Sequence, residues 1–282
     1  SALAALVPGR GAAVIQADYT RDHRNAALRR LQAGDTAAEV VAALVGAGDN
    51  AIARRQFGVV TMDRADTGVA GHSGAEINDT FEQLTVPERG VAVQGNTLVD
   101  KQVVRDALAA FLSADEAGSP LAASLLAGLE AGSAAGGDFR CNTAESRQTA
   151  ASAFVMVAQG GQGPFAVSDL RTRESDWPER PWLHLSVVEE IGGPNPVTRL
   201  RRKYEAWKAA HEEPSAGSAL RAGSGTAERS EMPGDDRGRA PIAPEAQPRG
   251  QPSTGAAKPI GPAAAALALA AAVALAVVRR KR

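Results

Sequence analysis

The chain has 282 residues, 31 Lys and Arg against 32 Asp and Glu, and a net charge of −1, and 44% of it is apolar. That length allows one or two domains with a real core, and the apolar share excludes a wholly disordered chain. The balanced charge argues against a nucleic-acid partner, which would need a basic face for phosphates; the single cysteine excludes an internal disulfide framework and a multi-cysteine zinc site. In chain order, residues 11–17 (GAAVIQA) read as a strand after the Pro8-Gly9 turn. Residues 22–33 and 36–45 read as a helix pair, with Gly34 stopping the first helix and Asp35 or Thr36 capping the second. Residues 56–62 and 68–74 read as two strands joined by a polar turn, and 90–94 as a third. A second helix pair follows over 100–112 and 120–131, with Val103, Val104, Ala107, Leu108 and Phe111 at helical spacing. Strands are expected over 149–158 and 182–188, and an amphipathic helix over 195–211 with Val197, Leu200, Tyr204 and Trp207 on one stripe. Strands and helix pairs come in blocks and not in strict alternation, which indicates an α+β architecture of two sheets covered by helices on both sides.

Composition divides the chain into a folded part, residues 1–211, a Pro/Gly/Ser-rich linker, 212–259, and an apolar tail with a basic end, 260–282. The linker buries too little apolar surface to offset its ordering entropy. From Ile260 to Val278 no side chain is polar, and as a helix rising roughly 1.5 Å per residue the run just spans a ~30 Å hydrocarbon core. Arg279, Arg280, Lys281 and Arg282 follow, so a single-pass membrane helix is expected, with its C-terminus in the cytoplasm and the folded part outside. Upstream, Gln251-Pro252-Ser253-Thr254-Gly255 looks like the Leu-Pro-x-Thr-Gly signal of sortase substrates with Gln in the Leu position, which makes Thr254 and Gly255 candidate sorting residues and a sortase-like enzyme a candidate partner. The alternative is an ordinary linker. The opening residues 1–7 lack a basic n-region, so either a leader has been removed or the chain is incomplete at its start.

Several polar turns could carry chemistry. Gln94-Gly95-Asn96 closes a strand; its amides can hydrogen-bond a carbonyl or carboxamide, Gly95 allows close backbone approach, and both features suit an oxyanion or substrate-binding role as well as a plain turn held by Asn96. Asp138 and Arg140, in the turn 136–140, could orient polar substrate groups or form a surface ion pair. Gln16, at its strand end beside Asp18, faces either a cleft or solvent. Ser73 and His72 are adjacent on a strand and point to opposite faces, so they form no catalytic pair. His23 and His211 read as solvated helix residues, and no two histidines have ligand spacing, so neither a metal nor a cofactor is expected. Cys141 is either a lone buried thiol or half of a disulfide to a cysteine outside this sequence.

VPGRGAAVIQA (7–17), LRRLQAGDTAAEVVAAL (28–44), RQFGVV (55–60), GHSGA (71–75), VAVQGN (91–96) and LLAGLEAGSAAGGDFR (125–140), in that order and spacing, resemble domain of unknown function family 1028, a group with an Ntn-hydrolase-like fold. The resemblance covers about residues 1–210 and implies an αββα sandwich. Family members usually open with a strand near Thr-Phe-Ser-Ile-Val, a turn and a second strand ahead of the Val-Pro segment, and this sequence shows no such hairpin. In Ntn hydrolases the N-terminal Thr, Ser or Cys attacks a carbonyl while its own α-amine, with a pKa near 8, acts as base. The resemblance thus implies an amide-bond hydrolase whose nucleophile precedes this sequence, unless Ser1 serves. The expected function is an extracytoplasmic, membrane-tethered, Ntn-type amidohydrolase-like protein acting on a small amide; the alternative is a non-catalytic surface-displayed module. An unpaired sheet edge left by the missing hairpin would favour homo-oligomers.

Overall fold

The computed structural model describes residues 3–62, 67–77, 80–146, 148–159, 162–167, 181–190, 192–211 and 274–277. The elements are β1 (Leu3–Val7), β2 (Gly11–Gln16), α1 (Arg21–Ala33), α2 (Ala37–Val45), β3 (Gln56–Met62), β4 (Thr67–Ser73), β5 (Glu82–Val86), β6 (Val91–Gly95), α3 (Gln102–Glu116), α4 (Leu121–Ala134), β7 (Ser152–Val157), β8 (Phe165–Val167), β9 (Leu183–Val188), α5 (Pro196–His211) and β10 (Ala274–Val277). Local chemistry sets the helix ends. Thr20 caps α1 by accepting from the His23 amide, and Gly34, at φ 89°, closes it in the left-handed conformation that an L side chain resists. Thr36 and Glu39 form a reciprocal capping box at the start of α2.

The strands form a five-stranded sheet in the order β4-β3-β2-β1-β8, a three-stranded sheet β10-β6-β5 and a two-stranded sheet β7-β9. Every pairing is antiparallel. Period-two alternation divides the five-stranded sheet into two apolar faces. Ala5, Ala13, Ile15, Phe57 and Val59 pack with Ala27 and Leu31 of α1 and Val40 and Leu44 of α2. Ala12, Val14 and Val60 face the other way and meet Ala92 of β6. Within β6, Val91 and Val93 turn from Ala92 to the largest core cluster, with Val103, Val104 and Phe111 of α3, Leu126 of α4, Val155 of β7, Leu183 of β9 and Leu200 of α5. β6 is thus buried on both faces and its register is fixed.

The mixed α and β content matches the expected class, and each helix and strand expected within residues 1–211 exists within a few residues. Four strands were not anticipated. β1 sits in the apolar opening run, where residues 4–6 pair with both β2 and β8. β5 carries no clean apolar alternation and is held by its pairing to β6, Glu82 opposite Gly95 through Val86 opposite Val91. β8 has only three residues. β10 corrects the expected membrane helix over 260–282: residues 274–277 are extended and pair with β6, and the rest of that segment lies outside the described residues. Small and β-branched residues in an apolar run satisfy a sheet edge as readily as a helix. Among the described residues no helix is long and apolar enough to cross a membrane. The expected linker also lies outside them.

Candidate functional site

At one end of the two larger sheets the strand termini bring together a row of amides. Gln16 ends β2, Gln56 begins β3 and Ser73 ends β4, and the register sets all three side by side. Facing them, Gln83 of β5 stands opposite Gln94 of β6. These side chains fasten sheet to sheet. Gln83 Nε2 donates to Phe57 O at 2.7 Å and to Gln94 Oε1 at 2.7 Å. Gln94 Nε2 donates to Val14 O at 3.4 Å, and Ser73 Oγ donates to Gln83 Oε1 at 3.0 Å. Glycines opposite the amides leave the room: a Cβ on Gly58 would lie 2.5 Å from Gln94 Oε1, and one on Gly71 2.5 Å from Gln83 Nε2.

Gln56 sets the orientation of the row. Its fully buried amide donates through Nε2 to two backbone carbonyls, Glu82 O at 3.2 Å and Gly95 O at 3.4 Å. Carbonyl oxygens only accept, so this amide cannot be flipped. Its Oε1 is therefore the acceptor, and it takes Gln16 Nε2 at 2.6 Å and Asn96 Nδ2 at 3.4 Å. Gln16 is fixed in turn with Nε2 toward Gln56. Its Oε1 is buried and has no hydrogen-bond partner among the described residues, although Gln16 is only 2% exposed. A buried acceptor without a donor is costly, and such groups concentrate where a ligand or water completes the network.

Backbone strain gathers at the same end. Ala17 (φ 52°), Asp18 (φ 39°) and Thr97 (φ 55°) are the described non-glycine residues with positive φ; the first two follow β2 directly and Thr97 lies two residues past β6. Charges rim it: Asp18 pairs with Arg54 at 3.2 Å and Glu82 with Arg105 at 3.2 Å. The turn after α4 closes on Thr97, whose carbonyl accepts from the Phe139 amide at 3.0 Å. Asp138 in that turn is fully buried; its carboxylate takes Arg140 N and Nε at 2.9 Å each and Arg140 Nη2 at 2.5 Å. A charge-assisted fork of this kind fixes the turn.

Beneath β3, on the helix-covered face, lies a second polar group. His23 Nε2 is 3.5 Å from Asp49 Oδ2, which also accepts from Arg55 Nε. The hydrogen bond from Arg55 holds the Asp49 carboxyl down at about 2. Burial first, and the Arg55 cation second, lower His23 below its ordinary 6.5. The His23 ring packs on Phe57, with centroids 5.2 Å apart.

The sequence-derived candidates are in part assembled and in part redefined. Gln16, Gln94, Gly95 and Asn96 meet in one network, and the turn that carries Asp138 and Arg140 abuts it through the Phe139 amide on Thr97 O. Gln94 is turned between the sheets and holds them together, and Asp138 is a buried anchor for Arg140. His23, expected to be solvated, is buried, because positions 23, 27 and 31 share one helical face. Ser73 bonds Gln83 while the His72 ring nitrogen lies against Ile52 O, so the two point apart as expected. Cys141 is a free, buried thiol, pushed up to about 11 mainly by burial. Ser1, Thr254 and Gly255 lie outside the described residues. Sequence reasoning missed Gln56 and Gln83; the signal was available in Gln56-Phe57-Gly58, where Gln and Gly share the inner face of a strand. No cluster of three metal-ligating side chains occurs among the described residues.

Comparison with known proteins gives two family matches. The model of a family of unknown function, DUF1028, matches residues 1–183. The LPXTG cell wall anchor motif matches residues 252–282, a stretch that starts after the departing Gln251. A crystal structure of a protein from Silicibacter pomeroyi, itself assigned to DUF1028, resembles the chain at 18% identity with a TM-score of 0.49, over 78% of this chain and 94% of that one. No curated protein matches. The tail is therefore a wall-anchor motif, which replaces the expectation of a resident membrane helix.

Proposed function

The chain belongs to the DUF1028 family, and on that premise we propose that it is a cell-wall-anchored surface protein whose folded part binds a small amide-bearing or otherwise polar molecule at the amide-lined sheet end. The anchor match at 252–282 supports surface display, and the Pro/Gly/Ser-rich stretch before it supplies a tether between wall and domain. The observation that carries the binding site is the Gln16 acceptor. Its orientation is forced through Gln56, its oxygen is buried and without a donor among the described residues, and strained backbone adjoins it. A ligand there presents an N–H or O–H to Gln16 Oε1. The test is thermal shift of the full chain with a panel of small amides and peptide-like molecules. Ligands that raise Tm in the parent and not in Gln16→Leu support the site; a panel that shifts neither protein, or both equally, overturns it. Ligand at about a hundred times its Kd adds roughly 2.7 kcal/mol, well within reach of the assay.

We read the fold as the αββα sandwich of Ntn hydrolases. Supporting this are α1 and α2 on one face of the five-stranded sheet, β6 on its other face, and α3 and α4 beyond β6. A hydrolytic reading remains the second one. It is favoured by β1 starting at Leu3 opposite Ile15, at the sheet end where Gln16 Oε1 has no donor among the described residues. Its nucleophile would be Ser1, with the α-amine as base. Hydrolysis of an amide panel that Ser1→Ala abolishes, together with labelling of the N-terminus by an acylating probe, would establish it. An unlabelled N-terminus and unchanged turnover in Ser1→Ala would remove it.

A further inference from the structure

β6 is the interior strand of its sheet, and one of its two neighbours comes from the far end of the chain. β5 pairs along one edge of β6. Along the other edge β10 runs antiparallel, with Ala274 opposite Gln94, Leu275 opposite Val93, Ala276 opposite Ala92 and Val277 opposite Val91. β10 also lies beside β2 and β3 of the larger sheet. The strand it covers is not a peripheral one: Val91, Ala92, Val93 and Gln94 are all buried. Buried backbone N–H and C=O groups require partners, and an open strand edge of this kind takes up any compatible extended segment.

Ala274–Val277 also lie inside the wall-anchor match at 252–282. In wall anchoring, the transpeptidase breaks the Thr254–Gly255 amide and joins the Thr254 carbonyl to an amine of the wall, so residues 255–282 leave with the new amino terminus of Gly255. A stretch of backbone hydrogen-bonded along β6 cannot at the same time lie in a bilayer, where a single segment must satisfy its backbone internally as a helix. The two placements exclude one another.

We propose that β6 carries a strand-acceptor slot, which holds residues 274–277 in the unsorted chain and yields them when the tail is sorted. The proposal rests on the wall-anchor reading above. In solution the docked strand completes the β6 ladder. A four-residue strand belongs to the low-stability end of a fold, so insertion of the tail into a bilayer competes with docking. Sorting then leaves the Val91–Gln94 edge open to another extended segment of small apolar residues.

The test uses the full chain. In a Cys141→Ala background, cysteines are placed at the register partners Ala92 and Ala276, whose separation across paired strands suits a disulfide. Mild oxidation is expected to give an intramolecular disulfide. In the host, the locked chain is expected to attach to the wall about tenfold less than its reduced form. Independently, hydrogen exchange on the otherwise unaltered chain is expected to show protection at Val91–Gln94 that Ala276→Pro reduces about tenfold, with β2 and β3 amides unaffected. No disulfide and no exchange difference overturn the proposal. A disulfide that links two copies also overturns it, and assigns the slot to a second molecule. Should the parent chain fail to attach to the wall, the anchoring reading falls, while disulfide formation and hydrogen exchange still decide the slot.

Discussion

Gln56→Leu removes the side chain on which the amide row depends while keeping a similar volume. Four things are lost together, one of them the 3.1 Å bond that Ser73 Oγ accepts from Gln56 Nε2, which half-buried Ser73 can replace with water. Gln16 Nε2 loses its 2.6 Å acceptor, so the whole Gln16 amide is stranded in the interior. Glu82 O and Gly95 O each lose a donor, at 3.2 and 3.4 Å. Asn96 loses a 3.4 Å contact but is half-buried and can turn to water. A stranded buried amide costs about 1–3 kcal/mol, and each long bond to a carbonyl that keeps a second lone pair costs less than about 1. The sum is about 3 kcal/mol, or a fall in Tm on the order of 10 °C for a domain of this size. Gln16→Leu behaves differently: it gives up one bond but eliminates the orphaned oxygen, so it is expected to lie within about 0.5 kcal/mol of the parent. The double variant strands no Gln16 amide, so it is expected to lose about 1 kcal/mol less than the two single losses added together. Urea denaturation of the full chain followed by tryptophan fluorescence gives all three values. A Gln56→Leu loss below about 1 kcal/mol, or strict additivity in the double variant, refutes the forced orientation and with it the lone acceptor.

Other outcomes follow from the same geometry. Gly71→Ala puts a Cβ 2.5 Å from Gln83 Nε2, a side chain pinned by Phe57 O and Gln94, and is expected to lose about 2 kcal/mol by denaturation, whereas Gly71→Ala in a Gln83→Ala background loses much less. Stability is expected to fall in two steps on acidification. His23, held below 6.5 when folded, favours the unfolded state as pH drops under 6.5; Asp49, held near 2, contributes stability above 3.8 that is lost between 3.8 and about 2. His23→Leu should flatten the upper step and Asp49→Asn the lower, measured by urea titration at each pH. Cys141 is expected to resist a thiol reagent at pH 8 in the folded chain and to react fully in denaturant, because it is buried and its thiol is pushed up to about 11; prompt labelling of the folded chain would contradict that placement.

How much of this was legible in the sequence depended on whether the deciding force was local. Helix ends were readable because their causes are: Thr36 with Glu39, and Gly34 at positive φ, act within a few residues. Strand positions in 11–16 and 56–62 followed from small and β-branched residues between turn signals. What escaped depends on pairing across long separations. Glu82–Val86 is half polar and becomes a strand because β6 offers an edge. Ala274–Val277 is identical in composition to a membrane span and becomes a strand for the same reason. The site was half visible. Gln94, Gly95, Asn96 and Gln16 stood out as polar residues at strand ends, but their meeting requires the register of two sheets, and Gln56 lies 40 residues from Gln16. His23 reads as polar on a helix until its spacing to Ala27 and Leu31 is set against the sheet it covers.

Display of the folded domain on a cell wall through the C-terminal motif leaves its mark on the C-terminus itself. The most direct measurement is the C-terminal mass of the protein released from purified walls by a muralytic enzyme. The expected result is a C-terminal peptide that ends at Thr254 in amide linkage to a wall fragment, with nothing from residues 255–282. A chain recovered from the membrane fraction with its tail intact to Arg282, and absent from the wall digest, would contradict it.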